Sequence, residues 1–465
     1  MKITRLAATL FIVFSGLTVN SFGAEDLMSA YRLAVDNDPL LKEAAANRLA
    51  LLEARPQARA GLLPFINLQG QYQDVGNDGT FSNFSPSLGT TVSTDSNSDS
   101  RSLGYQVQVL QPLFRWDRFV ALKRADKTIA QAEVNFAAAE QDLASRVAQR
   151  YFTVLSARDS LRAETLNKEA IGRQLEQNET RFDVGLIAIT DVLESRAAYD
   201  QSIASEIEAK RVLATARESL REITGSYLEN LAAPGLELEL GNPVPADQDA
   251  WVRQALEQNL SLEASRLSVE IANDDVKTQR TGHYPSVDLA LSHGEFDSSG
   301  DSVNTVMGVS TPGSNDQDSS SDTISLQFNV PIYSGGAVSS RVRQAVYEKR
   351  AAQQRLERVA RETERQTRDA YLSVLSEISR VRALKEAVKS SETALAATEA
   401  GFDVGTRTSV DVLNSRRDLL RSQVTFYNAR YDYIINLIRL KQAAGSLAIE
   451  DLAEINSWLI NNSGN

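Results

Sequence analysis

Cysteine is absent from this 465-residue chain, and histidine occurs only twice, at His283 and His293. The first absence excludes disulfides, thiolate metal sites, cysteine nucleophiles and lipid attachment at an N-terminal cysteine. The second leaves little imidazole for metal or triad chemistry, and no carboxylate spacing demands acid–base work, so no enzyme motif with a mechanism emerges and no cofactor or metal is expected. Basic residues are outnumbered, 49 Lys+Arg against 61 Asp+Glu, for a net charge of −12. Such a chain lacks the positive footprint that phosphate backbones require, which excludes nucleic acid as a partner. Long apolar runs are missing after the first twenty residues. The most apolar late stretch, Tyr433 to Ile438, is cut off by Asp432 and Arg439. Any later membrane crossing must therefore use strands.

At the N-terminus, Lys2 and Arg5 precede an apolar run from Leu6 to Val19, followed by Ser21, Gly23, Ala24 and the acidic pair Glu25–Asp26. This is the layout of a cleaved export signal over residues 1–24. Losing two cations and no acids would take the mature charge from −12 to −14.

The remainder is an internal duplication. Phe182-Asp-Val-Gly185 recurs as Phe402-Asp-Val-Gly405, and 402 − 182 = 220; Asp191, Val192, Leu193, Ser195, Arg196 and Gly225 recur at the same offset. Pro112-Leu-Phe returns as Pro331-Ile-Tyr, and Tyr151 as Tyr371. An ordered series of this kind identifies two copies of one supersecondary unit, each read as helix, strand, polar loop, strand, very long helix, tight turn, helix. The division is residues 25–230 for the first repeat, 231–248 for a linker, 249–445 for the second repeat and 446–465 for a C-terminal segment.

Each repeat offers two strands with period-two alternation. Ile66, Leu68 and Tyr72 alternate with Asn67, Gln69, Gln71 and Gln73; Leu103, Tyr105, Val107 and Val109 alternate with Gly104, Gln106 and Gln108. In the second copy Val287, Leu289 and Leu291 alternate with Asp288, and Ile324, Leu326 and Phe328 with Gln327. Apolar-out, amide-in strands are the pattern of a membrane β-barrel with a wet lumen. Between them, Asp74–Arg101 and Gly294–Asp322 are rich in Ser, Asp, Asn and Gly and read as solvated outer loops. Four strands cannot close a barrel, since about eight is the practical minimum, so several chains must pool theirs.

Residues 117–184 and 337–404 contain no proline, and each counts 68 residues (184 − 117 + 1; 404 − 337 + 1). As helices they reach about 100 Å. Val374, Val381, Val388, Leu395 and Phe402 stand seven apart, matched by Val154, Leu161, Lys168, Leu175 and Phe182, which calls for coiled-coil packing. Each run ends at a Val-Gly turn and reverses into a shorter helix, 189–223 or 409–443.

With these motifs, above all 181–191, Pro331-Ile-Tyr-Ser-Gly-Gly336 and 402–411, the chain resembles the TolC family of outer-membrane efflux and type I secretion channels. The resemblance implies an α+β membrane protein: a homotrimer with a 12-stranded outer-membrane β-barrel, four strands per chain, continuing into a periplasmic coiled-coil tunnel with an equatorial belt. The shorter helices would stack on helices 27–61 and 249–282. The implied partners are outer-membrane lipid, a periplasmic adaptor, an inner-membrane transporter of the RND, ABC or MFS class, and exported drugs or proteins as cargo.

The resemblance also implies a periplasmic gate, in which Arg407 bridges to Thr190, Asp191 and Gln174 with Glu399 and Phe402 nearby. Asp411 would ring the pore mouth as a cation site, with Asn414 where relatives carry a second carboxylate. Val184-Gly185-Leu186 and Val404-Gly405-Thr406 would receive the adaptor. Phe402 stands where the family often has tyrosine, so the hydroxyl that could bond Asp191 is missing. The alternative fold, a periplasmic coiled-coil adaptor or scaffold without a pore, explains the heptads and leaves the four strands unaccounted for.

Overall fold

The computed structural model describes residues 25–235 and 240–460; the export signal expected over 1–24 lies outside the described residues. In chain order the elements are α1 (Leu27–Asn37), α2 (Pro39–Leu52), α3 (Ala54–Ala60), β1 (Phe65–Ser85), β2 (Thr90–Phe114), α4 (Trp116–Asp183), α5 (Ile189–Thr224), α6 (Gln248–Gln258), α7 (Leu260–Arg280), β3 (Ser286–Val306), β4 (Val309–Asn329), α8 (Ala337–Asp403), α9 (Ser409–Ala443) and α10 (Ile449–Ile460). The two proline-free runs are unbroken helices of 68 and 67 residues. None of the described helices is long and apolar enough to cross a membrane.

The four strands form one antiparallel sheet in the order β1-β2-β3-β4, with β1 and β4 as free edges. Register places Ile66, Val109, Leu291 and Ile324 side by side on one face, and Leu289 opposite Leu326. Among the described residues nothing covers that face at β4: Ile324 is 77% and Leu326 65% exposed. The apolar bands of the two hairpins are also staggered. Leu103 is level with Tyr72, whereas the second hairpin's band ends at Leu291, level with Val109, so the offset is 109 − 103 = 6 residues. Strands tilted by about 35–45° in a bilayer require such a stagger to keep one band in the hydrocarbon.

The polar segments read as loops are strands. Pairing continues from Asp74↔Arg101 to Ser85↔Thr90, and from Gly294↔Ser321 to Val306↔Val309. Main-chain hydrogen bonds need no apolar face to propagate. Once the apolar halves fix the register, Ser-, Asp- and Asn-rich chain extends it into water, and only residues 86–89 and 307–308 turn.

The helices before each sheet segment are also broken. Asp38 caps α2 by accepting from the Leu41 amide at 3.0 Å, with Pro39 in the first turn; Asn259 caps α7 through Leu262 at 3.1 Å. At these junctions the shorter helices arrive. Asn37 donates to the Thr224 carbonyl at 3.0 Å, and Asn259 to the Ala443 carbonyl at 3.0 Å, so the same end-to-end joint is built twice. Gly445 is obligatory there: its φ is +73°, and a Cβ would lie 2.3 Å from the Gln258 carbonyl oxygen.

The core sits at this equator, where Leu27, Leu143, Tyr151, Phe152, Leu155, Ile434, Ile438 and Leu452 are buried. Phe152 stacks on Tyr431 at 5.9 Å, and the Tyr431 hydroxyl donates to Asp159 at 2.6 Å. Along the α4–α5 hairpin the one polar rung, Lys168, is paired with buried Glu206 at 2.8 Å.

Candidate gate at the helical tips

Both hairpins end in the same turn. Gly185 and Gly405 take φ of +74° and +77°, a region closed to most side chains. The amides of Gly185 and Leu186 return to the Phe182 and Arg181 carbonyls, while those of Gly405 and Thr406 return to Phe402 and Gly401. Val184, Leu186 and Val404 project into solvent from these rigid turns, as do Gly185, Gly405 and Thr406. Exposed apolar side chains on a fixed backbone suit a docking partner.

The first turns of α5 and α9 differ. Thr408 and Asp411 form a reciprocal cap: the Thr408 amide and hydroxyl both donate to Asp411 Oδ2 at 2.9 Å, and the Asp411 amide donates to Thr408 Oγ1 at 3.2 Å. The hydrogen bonds from Thr408, with the Arg407 charge beside them, hold the Asp411 carboxyl below the usual carboxylate range. In the first copy Ala188 replaces the threonine, and only its amide reaches Asp191, at 3.3 Å. Asp411 is therefore held in its charged form at the tip of α9, with one oxygen committed to its helix. Asn414 and Thr190 are exposed nearby in sequence without side-chain bonds among the described residues.

The expected Arg407 network does not form within one chain. Arg407 is exposed, its stem lies along Gly401, and its guanidinium makes no hydrogen bond or ion pair among the described residues. Gln174 is buried and donates instead to Asn178 at 3.2 Å. Glu399 is taken by Arg416, as Glu179 is by Arg196 at 2.7 Å, one such bridge in each hairpin. Asp191 is half-buried and occupied by its own helix cap. The physical reason is reach: Asn178 on α4 joins Ser195 on α5 to Ser409 on α9 through short side chains, while the Arg407 stem lies along Gly401.

Those smaller groups were not apparent from the sequence. Asn178 donates to Ser195 Oγ at 2.7 Å and Ser409 Oγ at 2.8 Å, and the two serine oxygens are 3.3 Å apart. All three residues are at most 1% exposed. Arg181 caps the junction, its guanidinium 4.7 Å from the centre of the Phe402 ring and 2.8 Å from Asp403. The recurrence of Ser195 as Ser415 was the one available signal. Among the described residues the arrangement presents no cluster fit to bind a metal.

Comparison with known proteins gives a consistent picture. Residues 30–226 and 251–446 match the family described as Outer membrane efflux protein. The chain is 36% identical over 444 residues to the outer membrane protein TolC of Vibrio cholerae, covering 96% of each. It is 30% identical to the alkaline protease secretion protein AprF of Pseudomonas aeruginosa, covering 97% of this chain and 91% of the relative. Among solved structures, the Campylobacter jejuni CmeC outer membrane channel superposes with a TM-score of 0.71 at 17% identity, over 94% of this chain and 90% of that one.

Proposed function

Because the chain belongs to the outer membrane efflux protein family, we propose that its helical tips close the periplasmic entrance of a trimeric duct and part when an adaptor docks on them. The chain itself is an outer-membrane exit channel for efflux and type I secretion, with its strands in the outer membrane and its helices in the periplasm. Its relatives are channel proteins rather than enzymes.

The observation that carries the reading is the open-edged sheet. A bare apolar band calls for lipid, two unpaired edges cannot persist there, and three copies supply twelve strands, enough to close a barrel. The helices then extend the duct by about 100 Å. The scaffold alternative gives the staggered apolar band no purpose. Val184-Gly185-Leu186 and Val404-Gly405-Thr406 are the docking turns for a periplasmic adaptor, and an RND, ABC or MFS transporter supplies the cargo, drugs or proteins. Residues 231–248 and 446–465 serve as the equatorial segments. Arg407, unpaired in its own chain, closes the entrance against Thr190 and Asp191 of another, with Gln174, Glu399 and Phe402 behind it. Asp411 from each chain focuses negative potential on the mouth.

The test is fractionation followed by planar-bilayer recording. The protein should leave the outer membrane only with detergent, as a trimer, and form a pore of low conductance. A monomer in the soluble periplasmic fraction would overturn the reading.

A further inference from the structure

Apart from a shift at Pro112, the register of the sheet is constant, so each strand residue can be assigned to one face. Ile66, Val109, Leu291 and Ile324 mark the apolar face. Odd positions of β1 and β4 and even positions of β2 and β3 make up the other. With the apolar face in lipid, as the channel reading above has it, this second face lines the exit.

Charge is sorted between the two faces. Beyond the apolar band, segments 74–101 and 294–322 carry ten carboxylates and one arginine. All eleven lie on the outward face, from Asp74, with Arg101 beside it at 3.3 Å, to Glu295 and Asp322. Successive strand residues alternate between faces, so an unsorted sequence would turn about half of them inward. Asp297 even stands directly opposite Asp318, a like-charge pairing that destabilises a sheet, and the sorting is kept at that cost. The inward face of the same segments offers Ser, Thr, Asn, Gln, Gly and a few apolar groups, with no ionisable side chain.

Nearer the helices the inward face of the strands carries a single charged residue, Asp288, and that charge is neutralised. Asp288 is 7% exposed and accepts from Nε and Nη2 of Arg115 at 3.0 and 2.8 Å. The wall is also kept flat. The one aromatic ring on the inward face of β3, Phe296, lies down over Gly104 and Gly294: a Cβ on Gly104 would be 2.1 Å from Phe296 Cδ1, and one on Gly294 3.1 Å from Cε2.

We propose that the exit half of the duct is built to be blind to charge, neither selecting cargo by its sign nor retaining it. A fixed charge on the wall of an aqueous lumen attracts one sign and repels the other. Cargo bearing both signs, as a polypeptide does, would be held at such a ring by one of them. Hydroxyl and amide side chains exchange hydrogen bonds with water and offer no such hold. The outward carboxylates are solvated on the far face, where salt screens them within about 8 Å. Charge preference in the open pore then arises in the helical part of the duct.

Ser298 and Ser299 are neighbours on β3 that belong to opposite faces, inward and outward. Ser298→Lys and Ser299→Lys, each in an Asp411→Asn background that removes carboxylates at the helical tips, are recorded in planar bilayers under a salt gradient. Ser298→Lys should shift the reversal potential toward anions, and Ser299→Lys should leave it in place; equal shifts, or none in Ser298→Lys, overturn the proposal. Asp297→Asn/Asp318→Asn removes a facing pair of outward carboxylates and should change nothing, so a shift toward anions overturns it too. Arg115→Gln bares Asp288 and should shift the potential toward cations, a shift that adding Asp288→Asn cancels. Heat-resistant trimer on gels confirms assembly of each variant. Unmodified protein that forms no pore at all would instead overturn the channel reading.

Discussion

The equator and the sheet of this chain are built on opposite terms. At the equator, Tyr151, Phe152, Leu155 and Ile434 are fully enclosed by their own chain, and the Tyr151 hydroxyl donates to the Ala232 carbonyl at 2.7 Å. In the sheet, four strands of 21 to 25 residues carry an apolar face that the described residues leave bare. The equator is stabilised by one chain, whereas the sheet depends on lipid and on two further copies. Folding of the helical region can thus precede assembly, while the sheet becomes stable only as the barrel closes.

The sharpest break of this contrast is expected at Asp38, which is buried, caps α2 and accepts from Arg146 at 2.8 Å. Removing Asp38 takes away a bond to a charged group, about 1.5–3 kcal/mol, and a helix cap, about 1 kcal/mol, and leaves Arg146 with Asp142 at 2.6 Å. Asp38→Ala should lower the urea midpoint of the detergent-extracted protein accordingly, and Asp38→Asn less, since Asn259 caps the matching helix without charge. Burial pushes the Asp38 carboxyl up, but the bonds from Arg146 and Leu41 outweigh it and leave the group below its ordinary value. Its contribution is therefore complete above about pH 4, the unfolded value, and is lost as pH falls through the lower folded value. Acid unfolding that begins near neutrality would contradict this.

A smaller effect is expected in the sheet. Leu326→Arg places a charge on the lipid face at a cost of about 2–4 kcal/mol near mid-membrane, whereas Gln327→Arg on the opposite face should be tolerated. Yield of heat-resistant trimer in the outer membrane measures both, and equal losses would mean the faces are reversed. Asp288, on the lumen side, is an unsuitable control, because it is buried and held by both Nε and Nη2 of Arg115 at 3.0 and 2.8 Å.

How far the sequence could be read follows from what each element rests on. The long helices were legible to within a residue because absence of proline and a seven-residue ladder act over their whole length. The outer halves of the strands were not, since Ser-Asn-Asp chain carries no alternation and its pairing is inherited from the apolar halves. The break at Asp38-Pro39 shows in the sequence as a cap followed by proline, and it divides the single helix expected over 27–61. At the tips, the turns and caps are local and could be placed. The partners of Gln174 and Glu399 could not, because a polar side chain in a coiled coil has several neighbours at equal sequence distance.

Further down the scale is Arg407. A bond to a charged group contributes about 1.5–3 kcal/mol, so Arg407→Ser should raise single-channel conductance. Phe402→Tyr should leave it equal or lower by restoring a hydroxyl near Asp191. Block by multivalent cations should vanish in Asp411→Asn, as Asn414 offers no second carboxylate. Unchanged conductance in Arg407→Ser, or full block in Asp411→Asn, would remove these residues from the gate.

The smallest effect separates the two tips from each other. Thr408 supplies α9 with a complete cap, whereas Ala188 leaves α5 with half of one. A capping hydroxyl contributes about 1 kcal/mol. Ala188→Ser should slow amide exchange in the first turn of α5, and Thr408→Ala should quicken it in α9 by a similar factor. Thr408→Ala should also move the Asp411 carboxyl up toward its ordinary value, because two bonds to Thr408 are what favour its charged form and only the amide remains. Multivalent-cation block would then begin to weaken at about pH 4, the ordinary carboxylate value, in Thr408→Ala and only at lower pH in the unmodified channel. Identical exchange in the two first turns before any substitution would mean that the caps do not distinguish the tips, and the difference between Ala188 and Thr408 would carry no consequence for how they open.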